Sequence, residues 1–303
     1  RIKMRIFMGQ PSESYSAVQL ADGSYSVRSE VHQETFHPVV GSKVEARCVY
    51  FDPMRLEQRW GSRCNELCVW DVGLGSAGNA LHLMRAHEKI PRKLRLHSFD
   101  KTLGGLRFAL DHAEKFPYLH GFERPLETLM QESEVHFQWQ HLEVHWKLHL
   151  GDLSQKGFMA PAHASARPDA ILYDPYSPAK NPEMWSLGMF QSLATCLPTS
   201  ATLATYSRST SVRVTLLLAG FVVGKGGQVG EKEETTVAAT TATLISPLLG
   251  AEWLRRASRS TNAEPIRTLP HQRSSMTHTT WQALLEHPQF QDISLDPRLL
   301  RPS

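Results

Sequence analysis

The segment that most constrains the fold is a strand, a glycine-rich turn and a helix in direct succession. Residues 66–70, ELCVW, predict a buried strand, and residues 71–79 read DVGLGSAGN, with apolar helical spacing after them. Glycines let the backbone approach a ligand closely, and a helix N-terminus offers free N–H groups. This order predicts the first nucleotide-binding unit of an open α/β sheet.

Strands and helices then alternate through residues 66–240, which predicts a doubly wound, mostly parallel, seven-stranded Rossmann-like sheet. Further strands are predicted at residues 94–100, 144–150, 170–173, 201–206, 220–225 and 234–240, and helices at residues 183–197 and 209–219. Residues 1–65 are predicted to form a β-rich N-terminal extension, because Asp22-Gly23 is a hairpin signal between short alternating runs. Residues 241–303 are predicted to be a partly flexible C-terminal tail.

An acid follows each of three predicted strands, at Asp71, Asp100 and Asp152. The glycine spacing suits a nicotinamide dinucleotide as well as S-adenosylmethionine, and Asp100 can accept the ribose hydroxyls of either. Asp71 favours S-adenosylmethionine, since a carboxylate beside the glycine turn attracts a cationic amino-acid group and opposes a pyrophosphate. Asp152 is placed to meet the adenine amino group. The residues alone favour S-adenosylmethionine and leave the nicotinamide alternative open.

The second informative segment is residues 173–185, YDPYSPAKNPEMW. Its acid, Asp174, directly follows an apolar strand, which puts a carboxylate at the carboxyl edge of the sheet, where open α/β sheets bind ligands. Aromatic Tyr176, cationic Lys180 and the amide of Asn181 come next. Such a loop suits a flat base held beside a reacting amine, with Asp174 orienting the amine first and accepting its proton second.

Together, the blocks DVGLGSAGN, SFD, LGD, YDPYSPAKNPEMW, TLATYS and AGFVV resemble one methyltransferase family. It is the S-adenosylmethionine-dependent, MnmC-like family that completes 5-methylaminomethyl-(2-thio)uridine at the wobble position of tRNA. The resemblance covers residues 67–240, with weaker support from residues 22–47, and PAKNPEMW is its most specific block. The chain departs from the family pattern at Pro175, where a small residue is common. The resemblance implies a methyltransferase fold, S-adenosyl-L-methionine as cofactor and tRNA as partner.

The resemblance also implies roles for individual residues. Asp174 is the expected catalytic residue, Tyr176 is expected to stack on the uracil, and Lys180 and Asn181 complete the RNA contacts. The residues expected to bind the cofactor are Asp71, Gly73, Leu74, Gly75, Gly78, Asn79, Asp100, Lys101, Asp152 and Leu153. In many bacteria this domain is fused to a flavin-dependent oxidase, for which the 303 residues leave no room. A separate oxidase or an aminomethyl-installing enzyme is therefore expected to supply the amine.

Charge and composition are those of a mildly basic globular protein, with net charge +3 and pI near 8.7, which suits a polyanionic partner. The basic residues considered for phosphate contact are Arg92, Lys93, Arg95, Arg255, Arg256, Arg259, Arg267 and Arg273. No apolar run approaches a membrane span, and a cytoplasmic protein with reduced thiols is expected. No metal site is expected, because Cys64 and Cys68 lack a second pair, and the spaced histidines His141, His145 and His149 favour packing or exposure.

Other classes of function stay open at this point. One is methyl or aminopropyl transfer to a small amine, or RNA binding without catalysis. Another is nicotinamide-dependent oxidation that uses the glycine turn and Asp100, which leaves the PAKNPEMW block unexplained. In the N-terminal extension, surface or packing roles are favoured for Glu34 and His37 over a place in the pocket.

Overall fold

The computed structural model describes residues 14–37, 41–63, 66–89, 91–155, 158–159, 167–228 and 234–291. Its strands are β1 Tyr15–Gln19, β2 Tyr25–Ser29, β3 Glu34–Thr35, β4 Glu66–Val72, β5 Arg92–Asp100, β6 Glu134–Trp139, β7 Leu142–Leu150, β8 Ala170–Tyr173, β9 Thr202–Thr205, β10 Val222–Lys225 and β11 Thr236–Ala239. Its α-helices are α1 Gly41–Glu45, α2 Leu56–Arg63, α3 Gly78–His87, α4 Gly104–Asp111, α5 Glu123–Glu132, α6 Leu187–Thr195, α7 Thr210–Leu218, α8 Ala251–Ala257 and α9 His278–Leu285. A π-helical segment spans Ala46–Phe51, and 3-10 turns span Ala113–Lys115, Pro117–Leu119, Pro182–Trp185, Ala242–Leu244 and Pro288–Phe290.

Within the described ranges, eight strands form the central sheet in the order β10–β11–β9–β8–β4–β5–β7–β6. The five strands from β9 to β7 are parallel, whereas the pairs β10–β11, β11–β9 and β6–β7 are antiparallel. The doubly wound, mostly parallel fold predicted from the sequence is confirmed, with one strand more than the seven expected. The additional strand arises because Gln140 adopts a left-handed turn conformation, with φ 50°, and separates β6 from β7.

The order of the sheet places a ligand crevice beside β4. From β4 the chain builds outward on one side through β5, and it later returns to add β8 on the other side. The carboxyl ends of the strands at such a switch point form the crevice in which open α/β sheets bind ligands. Val72, at the end of β4, is paired in register with Tyr173, at the end of β8. Gly73 and Asp174 therefore leave the sheet side by side.

A separate hydrophobic cluster covers each face of the sheet. Successive residues of a strand point to opposite faces, so that Leu67 and Val69 of β4 belong to one cluster, and Trp70 and Val72 belong to the other. Helix α3 packs in the first cluster and helix α6 in the second. This burial on both faces explains why the parallel strands read as continuous apolar runs in the sequence.

The N-terminal segment is a three-stranded antiparallel sheet followed by helices. The hairpin predicted at Asp22-Gly23 joins β1 to β2, and β3 pairs with β2. The β-rich prediction for residues 1–65 therefore holds for residues 15–35, whereas residues 41–51 and 56–63 are helical. Helical spacing of Ala46, Val49 and Tyr50 buries all three in the first cluster.

The C-terminal segment packs on the opposite face. Trp253 and Leu254 of α8 and Trp281 and Leu284 of α9 are buried in the second cluster. Residues beyond 240 thus supply part of the cover of the sheet, as far as the described chain extends, while the division into three parts at residues 65 and 240 stays a proposal. No helix in the described ranges is both long enough and apolar enough to span a lipid bilayer.

Candidate active site

A cleft of about 1250 Å³ opens at the switch point of the sheet. The residues with predicted roles that line it are Gly73, Leu74, Gly75, Asp100, Lys101, Asp152, Leu153, Asp174, Tyr176, Lys180 and Asn181. It is also lined by residues with no predicted role in the pocket, among them Arg28, Val31, His32, Glu34, Phe36, His37, Glu45, Ser177 and Tyr206. The structure therefore brings the glycine turn and the loop after Asp174 into one cavity and adds the N-terminal extension as a third wall.

The glycine turn is tight because two strand ends meet there. Gly73 and Gly75 both have positive φ, at 89° and 54°, which glycine adopts without strain. A Cβ atom at Gly73 would lie 2.4 Å from the carbonyl oxygen of Asp174. The N–H of Gly73 donates to the carbonyl oxygen of Phe99 at 2.9 Å. Any side chain at position 73 would thus push the glycine turn away from the strand that carries Asp174.

Two carboxylates line the cleft on the side of β5 and β7. Asp100 accepts hydrogen bonds from the N–H groups of Gly75 at 2.9 Å and Thr102 at 3.1 Å. Asp152 accepts one from the N–H of Ser154 at 2.9 Å and lies 3.0 Å from the Lys101 ammonium. Although burial alone would raise it, hydrogen bonds from Ser154 and Lys101 lower the pKa of Asp152. Both acids are therefore fixed by local contacts at the carboxyl edge of the sheet.

Asp174 lies on the opposite side of the cleft and is held by donors from two other elements. Its Oδ2 atom accepts a hydrogen bond from Nδ2 of Asn79 at 2.8 Å. It is also the hydrogen-bond partner of the Tyr50 phenol, whose pKa is raised well above its ordinary value by burial and then by the Asp174 charge. Donors on two sides suit a carboxylate, which only accepts hydrogen bonds in its ionised form.

The loop after Asp174 is held by its own backbone carbonyl groups. Trp185 donates through Nε1 to the carbonyl oxygen of Tyr176 at 2.8 Å, and Tyr206 donates through its hydroxyl to that of Pro175 at 2.9 Å. The predicted helix at residues 183–197 is divided by Ser186, which is extended and caps α6 by accepting a hydrogen bond from Met189 N. The preceding 3-10 turn carries Trp185 into the core. The buried Trp185 therefore anchors the end of the loop.

The N-terminal extension closes the cleft from above the glycine turn. Glu34 accepts hydrogen bonds from both the N–H, at 2.9 Å, and the hydroxyl of Ser177. A Cβ atom placed at Gly75 would meet the ring of Phe36 at 3.2 Å. Nδ1 of His37 lies 3.9 Å from a carboxylate oxygen of Glu45. Glu34 and His37 thus reach the pocket, contrary to the surface or packing roles favoured from the sequence, because the extension folds back over a loop far along the chain.

Three of the residues expected to bind the cofactor are not among those that line the cleft: Asp71, Gly78 and Asn79. The side chain of Asn79 holds Asp174 instead. Asp71 is 1% exposed and accepts a hydrogen bond from the Ser98 hydroxyl at 2.9 Å. Burial raises the pKa of Asp71 to about 8. The strand end thus points this carboxyl group into the protein interior, so the geometry gives no support to direct contact with the cofactor.

The spaced histidines do not converge. His145 and His149 lie on β7, whereas His141 lies in the preceding turn, and His149 is instead within 2.9 Å of His97. A different group, Glu134, His136 and His145, has side-chain nitrogen and oxygen atoms within 4.8 Å of one another. Lys147 belongs to the same group, since its Nζ atom lies 3.3 Å from Oε1 of Glu134. We interpret this group as an ion-pair network at the sheet edge and assign no metal to it.

The cysteines that the structure describes are free thiols, Cys48, Cys68 and Cys196. Cys64, which was considered with Cys68 for a metal site, lies outside the described residues. Burial raises the pKa of Cys68 to about 12, which keeps this thiol protonated and unreactive at neutral pH.

Most of the basic residues considered for phosphate contact fall into two groups. Arg92, Lys93 and Arg95 begin β5 at the end opposite the cleft, about 17 to 26 Å from Asp100 at roughly 3.3 Å per residue. Lys93 and Arg95 are paired with Glu143 and Glu66. This group therefore takes no part in lining the cleft. The second group, Arg255, Arg256 and Arg259, lines a surface depression beside the N-terminus of α7, and Arg267 and Arg273 are exposed.

Comparison with known proteins places this geometry in a family. Residues 121–241 match a family model described as S-adenosyl-L-methionine-dependent methyltransferase. The tRNA 5-methylaminomethyl-2-thiouridine biosynthesis bifunctional protein MnmC of Azoarcus sp. strain BH72 is 32% identical over 218 residues, which cover 68% of this chain and 33% of that protein. The chain belongs to the S-adenosyl-L-methionine-dependent methyltransferases. This membership decides the cofactor class that the glycine spacing left open and excludes the nicotinamide alternative.

Further relatives agree with the assignment. The protein of the same name from Aeromonas hydrophila is 31% identical over 240 residues, which cover 75% of this chain and 36% of that protein. The chain thus spans about a third of the length of these curated relatives. The crystal structure of MnmC2 from Aquifex aeolicus covers 91% of this chain and 84% of its own, with a TM-score of 0.64 at 22% identity. At that identity the likeness establishes the fold.

The cleft fits S-adenosylmethionine on its own geometry. Glycines 73 and 75 form a turn in which backbone groups face the cavity, and Asp100 and Asp152 follow the two neighbouring strands. Oδ1 of Asn181 is buried without a hydrogen-bond partner among the described residues, although Asn181 lines the cleft. Buried polar atoms are nearly always satisfied, so this oxygen indicates a donor from a bound molecule.

Proposed function

We propose that this chain transfers the methyl group of S-adenosyl-L-methionine to the primary amine of 5-aminomethyl-(2-thio)uridine at the tRNA wobble position, which gives the 5-methylaminomethyl product. The observation that carries the proposal is the position of Asp174, which lines the same cleft as the glycine turn and is oriented by Asn79 at 2.8 Å. The names of the Azoarcus and Aeromonas relatives supply the substrate class.

The cofactor is held, in this proposal, by the glycine turn, Asp100 and Asp152 with Leu153. When bound, S-adenosylmethionine would supply a methyl group on its sulfonium sulfur: the neutral amine nitrogen attacks the methyl carbon in line with the carbon–sulfur bond, and the sulfur leaves as the thioether S-adenosylhomocysteine. An alkylamine is largely protonated at neutral pH, and a nearby carboxylate favours that ammonium form. Asp174 therefore binds and orients the ammonium first. It then receives the proton, which passes from the nitrogen to a carboxylate oxygen or to water beside it.

The RNA approaches from the side of Lys180. This side chain is exposed at the mouth of the cleft, and its ammonium makes no ion pair with the residues that the structure describes. Arg255, Arg256 and Arg259 are further candidates for phosphate contact. We place the reaction in the cytoplasm, where tRNA is modified, with a separate oxidase or aminomethyl-installing enzyme as the source of the amine.

The deciding assay combines the purified 303-residue chain, S-adenosylmethionine labelled in its methyl group, and tRNA that carries 5-aminomethyluridine. Nucleoside analysis of the recovered tRNA should show labelled 5-methylaminomethyluridine. The matched control is the same tRNA with carboxymethylaminomethyluridine, whose amine is already substituted and which should stay unlabelled. Label that appears only in a free polyamine, or in protein, would assign the cleft to a different acceptor.

A further inference from the structure

One aromatic contact in the cleft joins two segments that lie far apart in the chain. The ring of His32, in the turn between β2 and β3, stacks on the ring of Tyr176, with centroids 3.9 Å apart and planes 14° from parallel. Nδ1 of His32 also lies 3.1 Å from the Ser29 hydroxyl. One face and one edge of the imidazole are therefore fixed before any substrate arrives.

The turn that carries His32 stands at the mouth of the cleft. The neighbouring Val31 is 55% exposed, and both residues line the cavity. Glu34 ties the same turn to Ser177 through two hydrogen bonds. The turn and the loop after Asp174 therefore form one continuous wall, with an aromatic and an apolar side chain at its outer end.

We propose that His32 is a stacking platform for a nucleobase of the RNA that directly flanks the methylated uridine. This inference rests on the proposed function. The stack predicted for Tyr176 is replaced by a layered one, in which Tyr176 supports His32 from behind and the base lies on the outer face of His32. The adjoining Val31 offers apolar contact to the same base.

The position of Asp174 indicates that the base on His32 is a flanking base and not the methylated uracil. The methylated amine has to meet Asp174, whose partners Asn79 and Tyr50 are both buried. His32 lies instead beside an exposed residue at the outer end of the wall. A uridine turned into the cleft exposes the face of its neighbour, and a pre-positioned ring costs little entropy when it accepts that neighbour.

The test is a double-mutant cycle that combines one substitution in the protein with one change in the RNA substrate. Three anticodon stem–loops with 5-aminomethyluridine are compared: one intact, one with an abasic residue 5′ of the uridine, and one with an abasic residue 3′ of it. We expect His32→Ala to raise KM for the intact stem–loop roughly 5- to 100-fold, the effect of losing one base–aromatic stack. On one of the abasic substrates this loss should disappear, since the partner of His32 is already missing.

Controls separate stacking from other causes. His32→Phe keeps a flat ring without the imidazole nitrogens and should restore most of the KM. His120→Ala, at an exposed position outside the cleft lining, is the matched histidine control and should match wild type. Cofactor affinity and melting temperature should be unchanged in His32→Ala, which shows that the variant is folded.

Two results overturn the platform. One is a KM for His32→Ala equal to that of wild type with all three substrates. The other is a loss of the same size with all three, because a role independent of both flanking bases would then be established. A wild-type chain that methylates no intact stem–loop, while it still binds S-adenosylmethionine, instead refutes the proposed function, and the platform with it.

Discussion

The two sides of the cleft are built by different means. On the cofactor side, Asp100 is fixed by Gly75 and Thr102, and Asp152 by Ser154 and Lys101, largely through short loops that follow neighbouring strands. On the acceptor side, Asp174 is fixed by Asn79, from the helix after the glycine turn, and by Tyr50, from the N-terminal segment. Glu34 reaches Ser177 across 143 positions of sequence.

This contrast has a functional consequence. When a site is made from local turns, loss of one side chain lowers the ligand affinity but leaves the geometry of the site in place, because the backbone conformation is unchanged. A site made from side chains of distant elements loses its geometry when one of them is removed, which affects the reaction step. Substitutions on the cofactor side should therefore change Kd, and those on the acceptor side should change kcat.

The largest effect is expected for Asp174→Asn. The amide keeps the size and one acceptor oxygen of the carboxylate but removes the charge and the proton acceptor. We expect kcat to fall roughly 10²- to 10⁴-fold, the usual contribution of a positioned general base. Single-turnover methyl transfer to the modified tRNA measures the rate, and calorimetric titration should give an unchanged Kd for S-adenosylmethionine. A variant with wild-type kcat removes Asp174 from the catalytic step.

Asp100→Ala is the counterpart on the cofactor side. Loss of hydrogen bonds to a charged group costs about 1–3 kcal/mol, so Kd for S-adenosylmethionine should rise roughly 5- to 150-fold. At saturating cofactor, kcat should stay within about twofold of wild type. Circular dichroism confirms the fold, because Asp100 also accepts the N–H of Gly75. An unchanged Kd in a folded variant contradicts the ribose assignment.

Asn79→Ala tests to which side of the cleft Asn79 belongs. The sequence predicts that Asn79 binds the cofactor, whereas in the structure its side-chain amide donates a hydrogen bond to Asp174. We expect kcat to fall about tenfold, the order of one lost hydrogen bond to a carboxylate. The acidic limb of the pH–rate profile should move to higher pH, since loss of a donor to the carboxylate raises its proton affinity. A selective rise in the cofactor Kd, with kcat and the pH profile unchanged, would return Asn79 to the cofactor side.

Lys180→Ala probes the outer edge of the acceptor side. One phosphate contact fewer should weaken tRNA binding a few-fold and reduce the slope of log Kd against log salt by about one. Filter binding over a series of potassium chloride concentrations measures both. Lys93→Ala, at the far end of β5, is the matched control and should leave the slope unchanged. Equal slopes for wild type and Lys180→Ala contradict the phosphate contact.

The smallest effect on function is expected for Asp71→Asn. Burial raises the folded-state pKa of Asp71 from 3.8 to about 8, so the native state holds a proton that the unfolded chain releases. This proton stabilises the fold fully below about pH 4, and the contribution is lost as pH rises through 8. Between pH 5 and 8 the Tm of wild type should fall more than that of Asp71→Asn, with cofactor Kd within about twofold. Parallel Tm curves refute this linkage.

Short-range patterns in the sequence predict the architecture and the local motifs. Apolar strands at residues 66–70 and 170–173, the glycine turn, and Asp100 and Asp152 at strand ends are consequences of short-range patterns. The confirmed parallel sheet follows from these patterns, because strand, turn and helix repeat within a few tens of residues. The carboxyl ends of parallel strands meet at one edge, so their acids were predictable as neighbours.

The side chains that meet across the cleft come together through long-range packing, which the sequence patterns do not predict. Asn79 turns to Asp174, Asp71 turns into the core, and the N-terminal extension brings His32 and Glu34 over the loop after β8. The physical reason is that a strand or helix pattern fixes a residue's face only within its own element. How the extension docks depends instead on packing, such as Phe36 against Gly75, which leaves no periodic signal in the sequence.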